Sequence, residues 1–395
     1  MSHGRGDIQQ EAVDHAGAPA PMRREDELAA PMRRALALAE SVATRTSPNP
    51  RVGCVITDAQ GRTLGEGATE RAGGRHAEVV ALADAQQRGH DLRGATVWVT
   101  LEPCSHHGRT GPCCDALVAA GIGRVVASLQ DPNPRVAGQG FAQLRAAGID
   151  VVEGPGAGAA HETNIGFFSR MTRGRPWVRM KIAASLDGRT ALADGASQWI
   201  TAQPARDDGH AWRARACAVL SGIGTVLEDN PRLDVRAVPT ERQPTLVLVD
   251  SRLQLPADAA LWQCERQRLV YAAAADAASL AAEAAICARG ATVLRLPGPG
   301  GKVDLRAMLH DLALREINEL HVEAGHKLNG SLWREGLVDE LLVYLAPTLI
   351  GPGRDMLALP ALGALSESAR WSFIDVQPVG PDLRLRLRNT APAGP

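Results

Sequence analysis

Residues 101–117, "LEPCSHHGRTGPCCDAL", set Cys104 and Cys113 nine positions apart, each directly after a proline, with His106 and His107 between them. The preceding "ATVWVT" (95–100) reads as a strand, and "CCDALVAAG" (113–121) reads as a helix whose first turn suits Pro112. The same alternation continues on both sides. "VGCVITD" (52–58), "RVVASL" (124–129) and "IDVVEG" (149–154) read as strands; "MRRALALAESVATR" (32–45), "AEVVALADAQQRG" (77–89) and "FAQLRAAG" (141–148) read as helices. Strands separated by helical crossovers predict a largely parallel sheet covered on both faces, a three-layer α/β/α domain.

A chain of 395 residues is too long for one ordinary core and favours two domains. Residues 1–27 read as a disordered tail rich in Gly, Ala, Pro and charge, and 28–153 as the first domain. "GPGAGAAHETNIGFFSRMTRGRP" (154–176) breaks the rhythm and reads as a linker. A second α/β domain then spans 177–391. Its strands are expected at 177–185, 216–222, 244–250, 269–272, 291–296, 319–325 and 339–347, and its helices at 204–214, 275–289, 304–315 and 330–336. With 43 Lys+Arg against 44 Asp+Glu and 3% aromatic residues, the chain lacks the basic, stacking surface of a nucleic-acid binder. A small polar or anionic metabolite fits better. Seven scattered cysteines argue for reduced thiols in the cytoplasm, and no apolar run of about 18 residues predicts a membrane span.

In "RHAEVV" (75–80), His76 and Glu78 project about 200° apart on a continuous helix. They serve one site only if His76 lies at the helix end and folds over it. Cys113 then stands at a second helix N-terminus, and Cys104 just beyond a strand. One His and two Cys leave the fourth position of a tetrahedral zinc open, the catalytic rather than the structural arrangement. A closed structural zinc module would need four ligands. Glu78, not itself a ligand, is placed to take a proton from water and pass it to a leaving amine. H-x-E followed by P-C belongs to the zinc nucleobase deaminase signature, although eight residues, not two, separate the cysteines here. His106 and His107 are read as touching substrate or solvent, and Cys114 as packing. Asn49, in a Pro-Asn-Pro turn, is divided between a pyrimidine contact and a plain turn role.

For a second site, "VVEGPGAGAA" fails as a dinucleotide fingerprint because Pro155 intrudes and no acidic residue stands about 20 positions on. "HVEAGHKLNGSLWREG" (321–336) is better. A strand ends at Glu323, a Gly-rich turn follows, and a helix starting near Ser331 offers free N–H groups to a phosphate.

"SPNPRVGCVI" (47–56), "HAEVVAL" (76–82), "VTLEPCSHHGRTGPCCDAL" (99–117) and "QDPNPRVAGQG" (130–140) closely resemble the bifunctional riboflavin biosynthesis deaminase/reductase family, in which the longer cysteine spacing is the rule. The resemblance continues through "KIAASLDGRTA" (181–191), "SQWIT" (197–201), "TVLEDNPRL" (225–233), "VDS" (249–251) and "HVEAG" (321–325). It implies a cytidine-deaminase-like first domain, with zinc on His76, Cys104 and Cys113 and Glu78 as the catalytic residue. It also implies a dihydrofolate-reductase-like second domain using NADPH. Ala183, Trp199, Thr225, Asp229, Ser251 and the run Gly325, His326, Lys327, Leu328, Asn329, Gly330 and Ser331 then fall at the cofactor. Ser197, Arg213, Leu233, Arg236 and Glu323 fall at the substrate, with Arg213 and Arg236 suited to a 5′-phosphate. The implied reactions are deamination of 2,5-diamino-6-ribosylamino-4(3H)-pyrimidinone 5′-phosphate and NADPH-dependent reduction of its ribosyl group to ribityl. A base deaminase with a different second domain is the rival reading. The expected partner is this small-molecule substrate, with self-association into a homo-oligomer and no nucleic acid or membrane.

Overall fold

Hydrophobic alternation in the first half folds into a five-stranded sheet in a computed structural model that describes residues 28–105, 111–134 and 136–389. His106, His107 and the 1–27 tail lie outside the described residues. The elements are α1 (Ala30–Ser41), β1 (Gly53–Thr57), β2 (Thr63–Ala68), α2 (Ala77–Gln87), β3 (Thr96–Val99), α3 (Cys113–Ala119), β4 (Arg124–Ala127), α4 (Gln139–Ala146) and β5 (Asp150–Glu153), with strand order β2-β1-β3-β4-β5. Ala77, Ala81, Leu117 and Leu144 bury one sheet face, while Met32 and Ala35 bury the other against Val55 and Val126. These are the three expected layers. The expectation of a largely parallel sheet needs correcting at one edge: β1 runs antiparallel to both β2 and β3, and only β3, β4 and β5 are parallel. Strand β2, "TLGEGA", escapes hydrophobic patterning because glycine is required there. A Cβ at Gly65 would lie 2.4 Å from the Ala81 carbonyl oxygen, so α2 rests directly on the strand backbone.

The segment read as a linker is folded. It carries α5 (Ala157–Thr163) and α6 (Ile165–Arg173), and the buried Asn164 side chain accepts from the Arg51 N–H at 2.7 Å and donates to the Arg51 carbonyl at 2.9 Å.

The second half contains β6 (Trp177–Ser185), β7 (Arg189–Leu192), α7 (Gln203–Arg215), β8 (Ala218–Gly222), α8 (Ile223–Asp229), β9 (Thr245–Val249), β10 (Arg268–Ala272), α9 (Ala277–Ala288), β11 (Thr292–Arg295), α10 (Leu305–Leu314), β12 (Glu319–Val322), α11 (His326–Arg334), β13 (Glu340–Ala346), β14 (Gly353–Asp355), β15 (Ser372–Val379) and β16 (Asp382–Arg388). Nine of these strands form one sheet in the order β11-β10-β9-β8-β12-β6-β13-β16-β15, parallel as far as β13 and closed by an antiparallel hairpin.

A buried ion cluster joins the halves. Arg51 pairs with Glu319 at 2.7 Å, Arg179 bridges Glu319 at 2.9 Å and Glu340 at 2.8 Å, and Arg386 and Arg388 carry the chain on from Glu340 to Glu162. Burial raises the Glu319 carboxyl, but Arg51, Arg215 and Arg179 outweigh it and hold the group well below the carboxylate range. Removing one member strands charge that water cannot reach. Arg51→Met is therefore expected to lower stability by about 3 kcal/mol in denaturant unfolding. A loss below about 1 kcal/mol would show that Arg179 and Arg215 suffice for Glu319.

Candidate active sites

The first site forms where two helices begin. His76 is the N-cap of α2, and Pro112 caps α3 so that Cys113 is its first residue. Cys104 follows β3. Nδ1 of His76 lies 3.5 Å from Sγ of Cys104 and 3.3 Å from Sγ of Cys113, and the Cys113 N–H donates to Sγ of Cys104 at 3.3 Å. All three ligand atoms lie within 4.8 Å of one another. A tetrahedral zinc with Zn–S near 2.3 Å and Zn–N near 2.0 Å spaces S and N about 3.5 Å apart, so the donor set fits. Two thiols and an imidazole are also the ligand chemistry zinc takes at catalytic centres. Hydrogen bonds from Cys113 and His76 hold the Cys104 thiol well below its ordinary range, which favours the thiolate that zinc takes.

Glu78 is buried in the first turn of α2 beside this triangle. Burial, then the Cys104 thiolate, pushes its carboxyl up to about 7. A divalent cation on the triangle draws it back towards the carboxylate. Cys114 is buried and donates to the Pro103 carbonyl at 3.2 Å, in keeping with a packing role.

The second site is a cleft of about 480 Å³ at the carboxyl ends of β6, β8 and β12. It brings together Ala183, Ser197, Trp199, Arg213, Thr225, Asp229, Leu233, Arg236, Glu323, Gly325, His326 and Asn329. Trp199 is 67% exposed and sits under the Arg206 guanidinium at 4.6 Å. Ser197 donates to Asp229 at 3.2 Å, and the Gly325 N–H donates to Thr225 at 3.1 Å. Leu233 has φ 53°, a left-handed conformation rare for leucine, and the Arg266 guanidinium grips its carbonyl at 2.6 Å.

The geometry differs from the sequence reading in three places. Arg213 is not a free cation facing the cleft: it forms a bidentate pair with Glu323 at 2.7 and 2.9 Å and donates to the Asp234 carbonyl. Arg236 and Arg232 both pair with Asp234 but keep about half of their side chains exposed at the cleft. The run Gly325–Ser331 is not a loop, because α11 starts at His326, five residues earlier than expected. Helical residues radiate by about 100° each, so the run cannot present one continuous cradle. Lys327 is exposed, Leu328 packs beside Gly222, Ser331 donates to the Lys327 carbonyl, and a Cβ at Gly330 would lie 2.4 Å from the Ala358 carbonyl oxygen. Ser251 lies outside the cleft, beyond β9, accepting from the Val303 N–H at 3.3 Å.

Sequence reading missed Lys181 and Arg232, which line the cleft. Lys181 stands two positions before Ala183 on β6, so strand alternation puts both on one face.

Residues 25–129 match the cytidine and deoxycytidylate deaminase zinc-binding region, and residues 176–385 match the RibD C-terminal domain. The riboflavin biosynthesis protein RibD of Escherichia coli K12 is 44% identical over 90% of this chain and 98% of its own, and that of Aquifex aeolicus is 40% identical over 89% and 96%. Among solved structures, Acinetobacter baumannii RibD superposes with a TM-score of 0.82 at 38% identity, covering 91% of this chain and 98% of its own. A deaminase/reductase from Thermotoga maritima gives 0.81 at 32% identity, covering 91% and 97%. A zinc-type triangle with a buried glutamate in one half, a polar cleft on a parallel sheet in the other, and similarity along nearly the whole length have one common reading: the chain belongs to the RibD family of bifunctional deaminase/reductases of riboflavin biosynthesis.

Proposed function

We propose that Glu78 moves the proton during deamination at the first site, and that the second cleft holds the ribosyl phosphate beside Arg232 and Arg236. The observation that carries this reading is the burial of the Glu78 carboxyl against the His76, Cys104 and Cys113 donor triangle. Zinc on that triangle supplies the Lewis acidity that makes water a usable nucleophile near neutral pH. Glu78 takes a proton from the attacking water and delivers it to the departing amine. Its buried position beside the donor triangle lets one carboxyl serve both proton transfers. Water enters, ammonia leaves, and the pyrimidine gains an oxygen.

In the reductase half, NADPH supplies the hydride for the sugar carbon. Arg232 and Arg236 offer their donors to the 5′-phosphate, held in place by Asp234. Arg213 keeps Glu323 ionised and oriented towards the sugar. Burial pushes the Lys181 ammonium below its ordinary range, which suits it to release the matching proton on the cleft floor. The N-terminus of α11, where the first N–H groups lack helical partners, would receive the cofactor phosphates.

The seven cysteines are free thiols, which supports a reducing, cytoplasmic setting. Among the described residues no helix is long and apolar enough to cross a membrane. Self-association is supported by the apolar outer hairpin, where Phe373, Val376 and Leu383 stand exposed.

Incubating the chain with the diaminopyrimidinone phosphate tests the reaction order: ammonia should appear without NADPH, and NADPH should be consumed only alongside or after it. NADPH oxidation with no ammonia released would reverse that order. Gly325→Val tests the cofactor position. A Cβ there meets only the Thr225 hydroxyl at 3.6 Å, so the fold accepts it and the added bulk faces the cleft. The expected result is an NADPH KM raised about tenfold or more with folding intact. Unchanged NADPH kinetics would move the phosphates elsewhere.

A further inference from the structure

Glu102, in "TLEPC", is the least accounted-for charge near either site. It is 4% exposed, and among the described residues it forms no ion pair. Its carboxylate instead accepts four main-chain N–H groups from one distant segment. Oε2 accepts from Asp131 and Gly138 at 3.0 Å each, and Oε1 accepts from Gly140 at 2.8 Å and Phe141 at 3.3 Å. The last two donors belong to the first turn of α4, whose N–H groups have no helical acceptors. One side chain therefore pins the start of the 131–141 segment, its end, and the following helix.

The same segment is seated against the metal-ligand turn. A Cβ at Gly140 would lie 2.0 Å from the Pro103 carbonyl oxygen, so the two backbones touch. The Cys114 thiol reaches both carbonyls, that of Pro103 at 3.2 Å and that of Gly140 at 3.6 Å. β3 and β4 are neighbouring parallel strands, with Val99 opposite Ala127. The turn carrying Cys104 and the 131–141 segment thus leave the sheet side by side at its carboxyl edge, where open α/β sheets bind their ligands.

We infer that Glu102 is a positioning residue of the deaminase, holding Asp131 and the 138–141 stretch that starts α4 as a wall of the pyrimidine pocket at a fixed distance from Cys104. This rests on the deaminase reading given above. The carboxylate is suited to the task because it is acceptor-only, with room for four donors. An amide of the same shape turns one oxygen into a donor facing two N–H groups. At least two of the four bonds are then lost, and the wall loosens without any change to the zinc ligands or Glu78.

The test is Glu102→Gln in the full-length, zinc-loaded chain, with ammonia release measured against pyrimidine concentration. The expected result is a deaminase KM raised about tenfold or more, with kcat changed much less, zinc retained, and normal reduction of deaminated substrate. A role confined to stability would lower the unfolding midpoint and leave KM where it was, and that result overturns the inference. So does an equal fall in kcat with KM unchanged. Should the Gln variant lose zinc or fail to fold, Glu102→Asp keeps the charge on a shorter stem that cannot reach both ends of the segment. A raised KM in that variant supports the assignment, and a wild-type KM removes it. Wild-type chain that released no ammonia would defeat the deaminase reading itself, which separates the two failures.

Discussion

Glu78→Gln is expected to keep about one zinc per chain and to lose ammonia release by roughly 10² or more, the usual scale for a general acid/base. Glutamine fills the same buried space beside Cys104 and Cys113 but cannot accept and return a proton. Glu78 is buried, so bulk solvent has little access with which to take over its proton transfers. Reduction of already deaminated substrate should proceed at the normal rate, because the second cleft lies on a separate sheet. Near-normal ammonia release in this variant would remove Glu78 from the mechanism.

Cys104→Ser should empty the metal site and abolish deamination. Ser retains the shape but offers a neutral hydroxyl where zinc needs a thiolate, and His76 with Cys113 forms only half of a tetrahedral set. Metal analysis should fall from about one zinc per chain to near none. The loss should also lower the thermal midpoint of the first domain, since the metal ties the starts of α2 and α3 to the end of β3. Full zinc in the serine variant would show that the ligand set is wrong.

The zinc triangle could be read from the chain because each member sits at a boundary with a local signal. His76 precedes an Ala-rich helix, Cys113 follows a proline suited to a helix start, and Cys104 follows a strand of alternating Val and Trp. The position of Glu78 beside the triangle was legible for the same reason: its spacing from His76 makes sense only if His76 is at the helix end, and His76 is the N-cap. The reductase positions were reached through long motifs shared with a family, and most of them do meet in one cleft. Their partners were not readable. Arg213 and Glu323 are 110 positions apart and lie on different elements, so nothing local distinguishes a phosphate-binding arginine from one committed to a buried carboxylate.

Two strands show the same limit from the side of the fold. β2 was passed over because its glycines make it apolar-poor, and the requirement for glycine comes from α2 pressing on it. β16, "DLRLRLR", alternates as a strand should, yet its Arg384, Arg386 and Arg388 look like a solvated face. They are neutralised by Asp208, Glu340 and Glu162 brought in from three other elements.

The sequence by itself determined the two α/β halves, the order of most strands and helices, and the placement of His76, Cys104, Cys113 and Glu78 at the ends of neighbouring elements, because hydrophobic period, helix starts and short motifs act over a few residues. Tertiary structure alone decided that Arg213 is committed to Glu323, that α11 begins at His326, and that the segment read as a linker is two packed helices. It also decided that Glu102 ties a distant segment to the metal turn and that Arg51 and Glu319 lock the halves together. Those outcomes depend on which charged and polar groups are buried together, and burial of a pair is a property of where the chain returns in space.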